Sequence, residues 1–164
     1  MELLLLRHAI AFERNPRRWP DDGNRPLSPR GTERGRQAAL GVRRLLKRPQ
    51  RVLVSPLLRT RETAAILTRF AGWPRAAVCE QLRPGTPPEG LLAELARVRA
   101  PQVAVVGHEP DLSELLTICL GARSRGAFAL RKSGVAVVEF SGRPAAGRGR
   151  LVAFLPPKLL RALA

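Results

Sequence analysis

A layered α/β domain built on a mostly parallel sheet is the fold class this sequence predicts, on three observations. Short apolar runs alternate with helix-periodic segments along all 164 residues, the order that stacks helices on both faces of a sheet. The runs at 3–6, 52–54 and 103–106 are apolar throughout, with no in-out alternation, as in strands buried on both faces. Neither a repeat nor a linker divides the chain. Residues 1–164 therefore read as a single domain, long enough to bury a sizeable core, and the expected architecture is a three-layer α/β/α sandwich.

The elements follow in order. The first strand, 3–6, runs into Arg7-His8. Residues 9–27 form a polar loop rich in Arg, Pro and Asp, and a connection of that length in a compact domain usually carries function or motion. Ser28-Pro29 reads as an N-cap followed by proline at the first helical position. Ala38, Val42, Leu45 and Leu46 then recur at helical spacing until Pro49,. After the strand at 51–54, Ser55-Pro56 reads as a second helix start, with Leu57, Ala64, Leu67 and Ala71 on one face before Gly72. A weaker apolar segment at 76–79 leads to a Pro/Gly-rich loop at 84–90. Leu91, Leu92, Leu95 and Val98 support a third helix ending before Pro101. The strand at 102–106 precedes a helix with Leu112, Leu115, Leu116, Cys119 and Leu120 on its apolar face. Segments 134–140 and 150–155 read as an antiparallel pair at the sheet edge, and 158–163 as a short terminal helix.

Composition narrows the partners. The formal charge is +16, and Lys47, Lys132 and Lys158 are the only lysines among 29 basic residues. Such a charge suits an acidic partner, or else it is arginine solvated on helix faces. The arginines are spread along the chain, and aromatics make up 4% with no Tyr to stack bases,. The second reading is favoured, and no nucleic-acid partner is expected. Cys79 and Cys119 lie in apolar stretches without CxxC or metal-ligand spacing, and read as core residues. No metal site is expected. The opening is too short for a signal segment, and no apolar stretch reaches the roughly 18 residues of a membrane span. A cytoplasmic protein without membrane contact is the expectation. The oligomeric state is not legible.

Both histidines stand at the ends of apolar runs, His8 after 3–6 and His108 after 103–106. Ligands of open α/β sheets bind just beyond the carboxyl ends of the strands. Three distant segments can thus deliver His8, His108, Arg7 and Arg59 to one crevice, a set that suits a phosphoryl group. Arginine meets phosphate oxygens two at a time and stays charged, while a neutral imidazole can attack phosphorus and form a covalent intermediate. Alone, His108 would read as a structural histidine and Arg7 as half of a rim salt bridge. Arg59 sits in the first turn of a helix, where the dipole disfavours a cation, and a phosphate bound at that terminus explains its placement.

These residues carry a resemblance. Leu5-Leu6-Arg7-His8-Ala9 resembles the RHG signature of the histidine phosphatase (phosphoglycerate-mutase-like) superfamily, with Ala9 in place of the usual Gly. Residues 55–64, from Ser55-Pro56 through Arg59 to Thr63-Ala64, resemble its second motif, and Val106-Gly107-His108 its third. Arg25-Pro26-Leu27-Ser28-Pro29-Arg30-Gly31 matches the stretch that opens the first helix. All come in the family's order and span nearly the whole chain. The short length and the pattern around Asp22, Arg25 and Gly107-His108-Glu109-Pro110 are most similar to SixA-type phosphohistidine phosphatases. The resemblance implies a phosphoglycerate-mutase-like fold with His8 as transiently phosphorylated nucleophile. It also implies that Arg7, Arg59 and His108 bind the phosphoryl group, with no metal or organic cofactor. Arg25 either contacts substrate phosphate or pairs with Asp21 or Asp22.

A general acid is the missing piece. Glu80, near where many relatives place one, and Glu109, next to His108, are the candidates. An imidazole, with an unperturbed pKa of about 6.5, leaves with less help than an alkoxide. A site without a committed acid therefore favours phosphohistidine on a signalling or phosphotransfer protein as the substrate. The alternatives are a small-molecule phosphomonoesterase using the same site and, in another class, a non-catalytic basic binding module.

Overall fold

The computed structural model describes residues 1–123 and 128–164. Its strands are β1 (Glu2–Arg7), β2 (Arg51–Val54), β3 (Ala77–Val78), β4 (Gln102–Gly107), β5 (Val135–Phe140) and β6 (Gly149–Leu155). Its helices are α1 (Pro29–Leu45), α2 (Leu58–Ala71), α3 (Pro88–Leu95), α4 (Asp111–Leu120) and α5 (Pro157–Ala162). The strands form one sheet in the order β3-β2-β4-β1-β5-β6. β4 runs parallel to both β1 and β2, β2 runs parallel to β3, and β5 is antiparallel to β1 and β6.

The period-two geometry of a strand sorts the apolar runs onto two faces. Leu4, Leu6, Val52, Val54, Ala104, Val106, Val135 and Val137 meet α1, α2 and α5 through Ala38, Val42, Leu67 and Leu160. Leu3, Leu5, Val103, Val105, Ala136 and Val138 meet α3 and α4 through Leu91, Leu95, Leu112 and Leu116. Two cores flank one sheet, the expected sandwich. Cys79 and Cys119 lie in the second core, where burial pushes their thiols up to about 11 and about 12, inert at neutral pH.

The sheet order also decides where a ligand binds. The chain leaves β1 through α1 on one face and leaves β4 through α4 on the other. Neighbouring parallel strands whose connections depart to opposite faces open a crevice at their carboxyl ends. His8 and His108 stand at that opening.

Several expectations are corrected. The second Ser-Pro pair does not start α2; the helix begins at Leu58 with no side-chain cap. Ser28 does cap α1, accepting from Gly31 N–H at 3.0 Å. The end of the 84–90 loop is helical, since α3 starts at Pro88. Leu45 is 46% exposed, because the last turn of α1 runs beyond the core. The late pair does stand at the sheet edge, as expected, with β6 outermost and β5 beside β1. Gly31 serves close approach, for a Cβ there would lie 1.7 Å from the Ile10 carbonyl oxygen. That contact pins the start of α1 against the segment leaving His8.

Candidate active site

Strand register brings the site together. Arg7 pairs with Gly107 and Val54 with Val106, so β1, β2 and β4 end at one level. Backbone bonds carry the alignment one residue further. His8 N–H donates to the Gly107 carbonyl at 3.1 Å, and Ser55 N–H to the Val106 carbonyl at 3.1 Å. The rings of His8 and His108 consequently lie with centroids 5.1 Å apart, inclined at 57°. Both residues are buried.

His8 has a defined tautomer. Its Nδ1 lies 2.7 Å from the Ala9 carbonyl oxygen, and a carbonyl only accepts, so Nδ1 carries the proton. The lone pair is left on Nε2. His108 places Nε2 2.9 Å from the hydroxyl of fully buried Ser55. Thr63 ties the two motifs together, its hydroxyl accepting from Ala9 N–H at 3.0 Å and donating to the Arg59 carbonyl at 2.7 Å. Ala9 takes the place of glycine because Gly35 opposite has no side chain; a Cβ at 35 would stand 3.3 Å from the Ala9 methyl.

Burial chiefly holds both imidazoles down at about 3, aided by repulsion from Arg59 and Arg7 and, at His8, from Lys132; at His8 the Ala9 carbonyl pulls the other way. Both are neutral at pH 7. The unfolded chain protonates them near 6.5, and the folded chain only near 3. Between those values the unfolded state binds more protons, so their effect on stability is lost as pH falls through that window. Because the chain has only two histidines, NMR reads them without ambiguity. Neither ring signal is expected to titrate between pH 8 and pH 5. A midpoint near 6.5 for either would refute the buried, neutral pair.

The guanidiniums are fixed but not saturated. Arg7 Nη1 donates to the Leu130 carbonyl at 2.8 Å. Arg59, 5% exposed, donates from Nη1 to the Asp22 carbonyl at 2.9 Å and lies 3.2 Å from Asp22 Oδ2. The Nε groups of both arginines are buried donors without a partner among the described residues. Buried donors are nearly always satisfied, so two orphans at one crevice mark a place built for an anion. Arg25 pairs with Asp22, Nε to Oδ1 at 2.8 Å and Nη2 to Oδ2 at 3.3 Å, and gives Nη1 to the Phe12 carbonyl at 2.6 Å. Asp22, held below the usual carboxylate range chiefly by Arg25, thereby orients Arg25 and Arg59 together.

The two candidate acids are engaged with other partners. Glu80 is exposed, and its Oε2 accepts from Arg83 Nε at 3.1 Å and Nη2 at 2.9 Å. Glu109 is half-buried, with Oε1 accepting from Leu130 N–H at 3.0 Å and Oε2 from the Ser113 hydroxyl. Sequence reasoning missed Ser55, because Ser-Pro looks the same as a cap or as a histidine partner. Asp22 entered it only as part of a family pattern and as a partner for Arg25, and its contact with Arg59 was not foreseen.

The family model of the histidine phosphatase superfamily (branch 1) matches residues 3–83. An uncharacterized protein of Picosynechococcus sp. is 34% identical over 138 residues, 82% of this chain and 82% of its own. The protein histidine phosphatase SixA complexed with tungstate superposes with a TM-score of 0.83, covering 98% of this chain and 99% of its own at 24% identity, a likeness of fold. A protein assigned as phosphohistidine phosphatase SixA of Agrobacterium tumefaciens gives a TM-score of 0.80 at 26% identity, covering 95% and 97%. Motif order, sheet topology and the paired histidines agree with these matches, and the chain belongs to the histidine phosphatase superfamily, a hydrolase acting on phosphorylated substrates.

Proposed function

We propose that this protein is a phosphohistidine phosphatase, with a phosphorylated histidine of a signalling or phosphotransfer protein as its substrate and the cytoplasm as its place of action. The observation that carries the reading is the state of the carboxylates. Asp22 is ion-paired to two arginines, Glu109 is bound at both oxygens and Glu80 faces solvent. Each is thus committed to a partner other than a leaving group at His8. The likeness to SixA-type structures supports the same substrate.

In this mechanism His8 Nε2 attacks phosphorus as the substrate's P–N bond breaks, and the leaving imidazole keeps the bonding pair and takes a proton from solvent. Arg7, Arg59 and His108 hold the equatorial oxygens, where most of the charge lies in a loose phosphoryl-transfer transition state. Water then attacks the phosphorylated His8, the ring recovers its lone pair, and phosphate departs with the oxygen of that water. Arg25 acts through Asp22, which sets the position of Arg59.

The test compares kcat/KM on a phosphorylated histidine protein with that on an alkyl phosphate. A positioned acid contributes about 10²–10⁴-fold where the leaving group needs its proton. The alkyl phosphate is therefore expected to react at least about 100-fold less efficiently. Comparable efficiencies would overturn the reading in favour of a small-molecule phosphomonoesterase.

A further inference from the structure

Residues 130–134 wrap Arg7 and carry Lys132 to it. Arg7 donates its own N–H to the Gly134 carbonyl at 3.2 Å, while its carbonyl accepts from Ser133 N–H at 3.0 Å. Its Nη1 is received by the Leu130 carbonyl, and Leu130 N–H is in turn held by Glu109. Within this clamp, Gly134 N–H donates to the Arg131 carbonyl at 2.7 Å, closing a tight turn over Lys132 and Ser133. Ser133 adopts φ 65° although it is not glycine, and it is buried. A Cβ on Gly134 would lie 2.8 Å from the Arg131 carbonyl oxygen. A non-glycine residue held in the left-handed region is strain that the surroundings must enforce, and such strain gathers at functional sites. The residue this turn presents beside Arg7 is Lys132.

Its surroundings are unusual for a lysine. Lys47 and Lys158 are exposed, whereas Lys132 is half-buried. Lysine is seldom withdrawn from water unless paired, yet Lys132 has no ion-pair partner among the described residues. The charges facing it are of its own sign: burial chiefly, then Arg7, Arg25 and Arg59, hold its ammonium below the usual lysine value. Of the carboxylates nearby, Asp22 is shared by Arg25 and Arg59, and both oxygens of Glu109 are engaged. Cations brought together without matching carboxylates are stabilised by an anion among them, and a transferring phosphoryl group carries its charge on three equatorial oxygens.

We propose that Lys132 is a fourth phosphoryl-binding group of this site, a cation contacting a non-bridging oxygen alongside Arg7. This inference rests on the phosphatase reading for its substrate, though not on phosphohistidine as the leaving side. A point charge on a flexible stem tolerates small shifts of the oxygen as the group passes to His8, where the forked guanidiniums are fixed by their other bonds.

The test uses the full chain with Lys132→Met and Lys132→Arg, each checked for an unchanged melting transition. Inorganic phosphate is titrated by calorimetry, and kcat/KM is measured on phosphoramidate and on an aryl phosphate. Lys132→Met is expected to weaken phosphate binding about tenfold and to lower kcat/KM by about 10–100-fold, by a similar factor for both substrates, as for loss of one electrostatic contact to the transferred group. Lys132→Arg, which keeps the charge, is expected to stay within a few-fold of wild type. Unchanged phosphate affinity in Lys132→Met overturns the proposal. So does a Lys132→Arg as impaired as Lys132→Met with a loss that grows as the leaving group becomes more basic, since that pattern belongs to a proton donor. Phosphate binding needs no turnover, so failure of the phosphohistidine reading leaves this result legible.

Discussion

His8→Ala is expected to abolish formation of an acid-labile phosphoenzyme and to lower turnover by about 10⁴-fold or more, as when the attacking group of a covalent mechanism is removed. The assignment to His8 rather than His108 rests on the two rings' partners. The Ala9 carbonyl can only accept, so the His8 lone pair is directed to Nε2. In His108 it is Nε2 itself that meets a hydroxyl, that of Ser55. Neutrality at pH 7 keeps the His8 lone pair available, since a protonated imidazole cannot attack. The variant loses one hydrogen bond worth about 1 kcal/mol, and it also removes a ring that sat among cations, so the fold should survive with a melting shift of a few degrees. Incubation with phosphoramidate, a rapid quench and intact mass decide the matter. Wild type should carry one labile phosphate and His8→Ala none. Phosphate retained on His8→Ala would place the nucleophile elsewhere, with His108 the nearest alternative.

How much of this was legible in the sequence depends on the range over which each signal acts. Strand ends and the α1 cap are local, and the apolar runs and Ser28-Pro29 announce them within a few residues. The two histidines were legible as a pair because parallel strands buried on both faces must end together, and register does the rest. Ser55 reads as a helix start because its partner lies 53 residues away at His108, and nothing local distinguishes it from Ser28. Segments 134–140 and 150–155 read as an antiparallel pair at the sheet edge and form one, but the pairing alone does not say which of the two also meets β1. The sequence leaves Arg25 between substrate and Asp22, and the structure has it bound to Asp22 and the Phe12 carbonyl. Lys132 carried no local signal at all. Its setting comes from a turn folded around Arg7, 125 residues earlier along the chain.

Arg59→Ala is expected to lower kcat/KM by about 10²–10³-fold, about 2.7–4 kcal/mol of transition-state stabilisation, the range for one preorganised donor in a water-poor site. The geometry says why this residue should matter more than its charge alone. Nη1 is taken by Asp22, which fixes the plane of the guanidinium, while the buried Nε has no partner among the described residues. The cation is thus paid for in advance: it is desolvated and oriented before the substrate arrives, at the second residue of α2, where the helix terminus adds its own attraction for an anion. Burial and Arg25 lower its pKa while Asp22 raises it, but a guanidinium stays charged throughout. Arg59→Lys separates charge from shape. A lysine restores the sign but neither the fork nor the bond that Asp22 uses to hold it, so only a minor part of the loss should be recovered. The same two variants should weaken inorganic phosphate in the order Lys then Ala, with little change in melting temperature, because Asp22 keeps Arg25 as a partner. Full recovery in Arg59→Lys would mean that bulk positive charge suffices here, and the argument from a preoriented fork would fall.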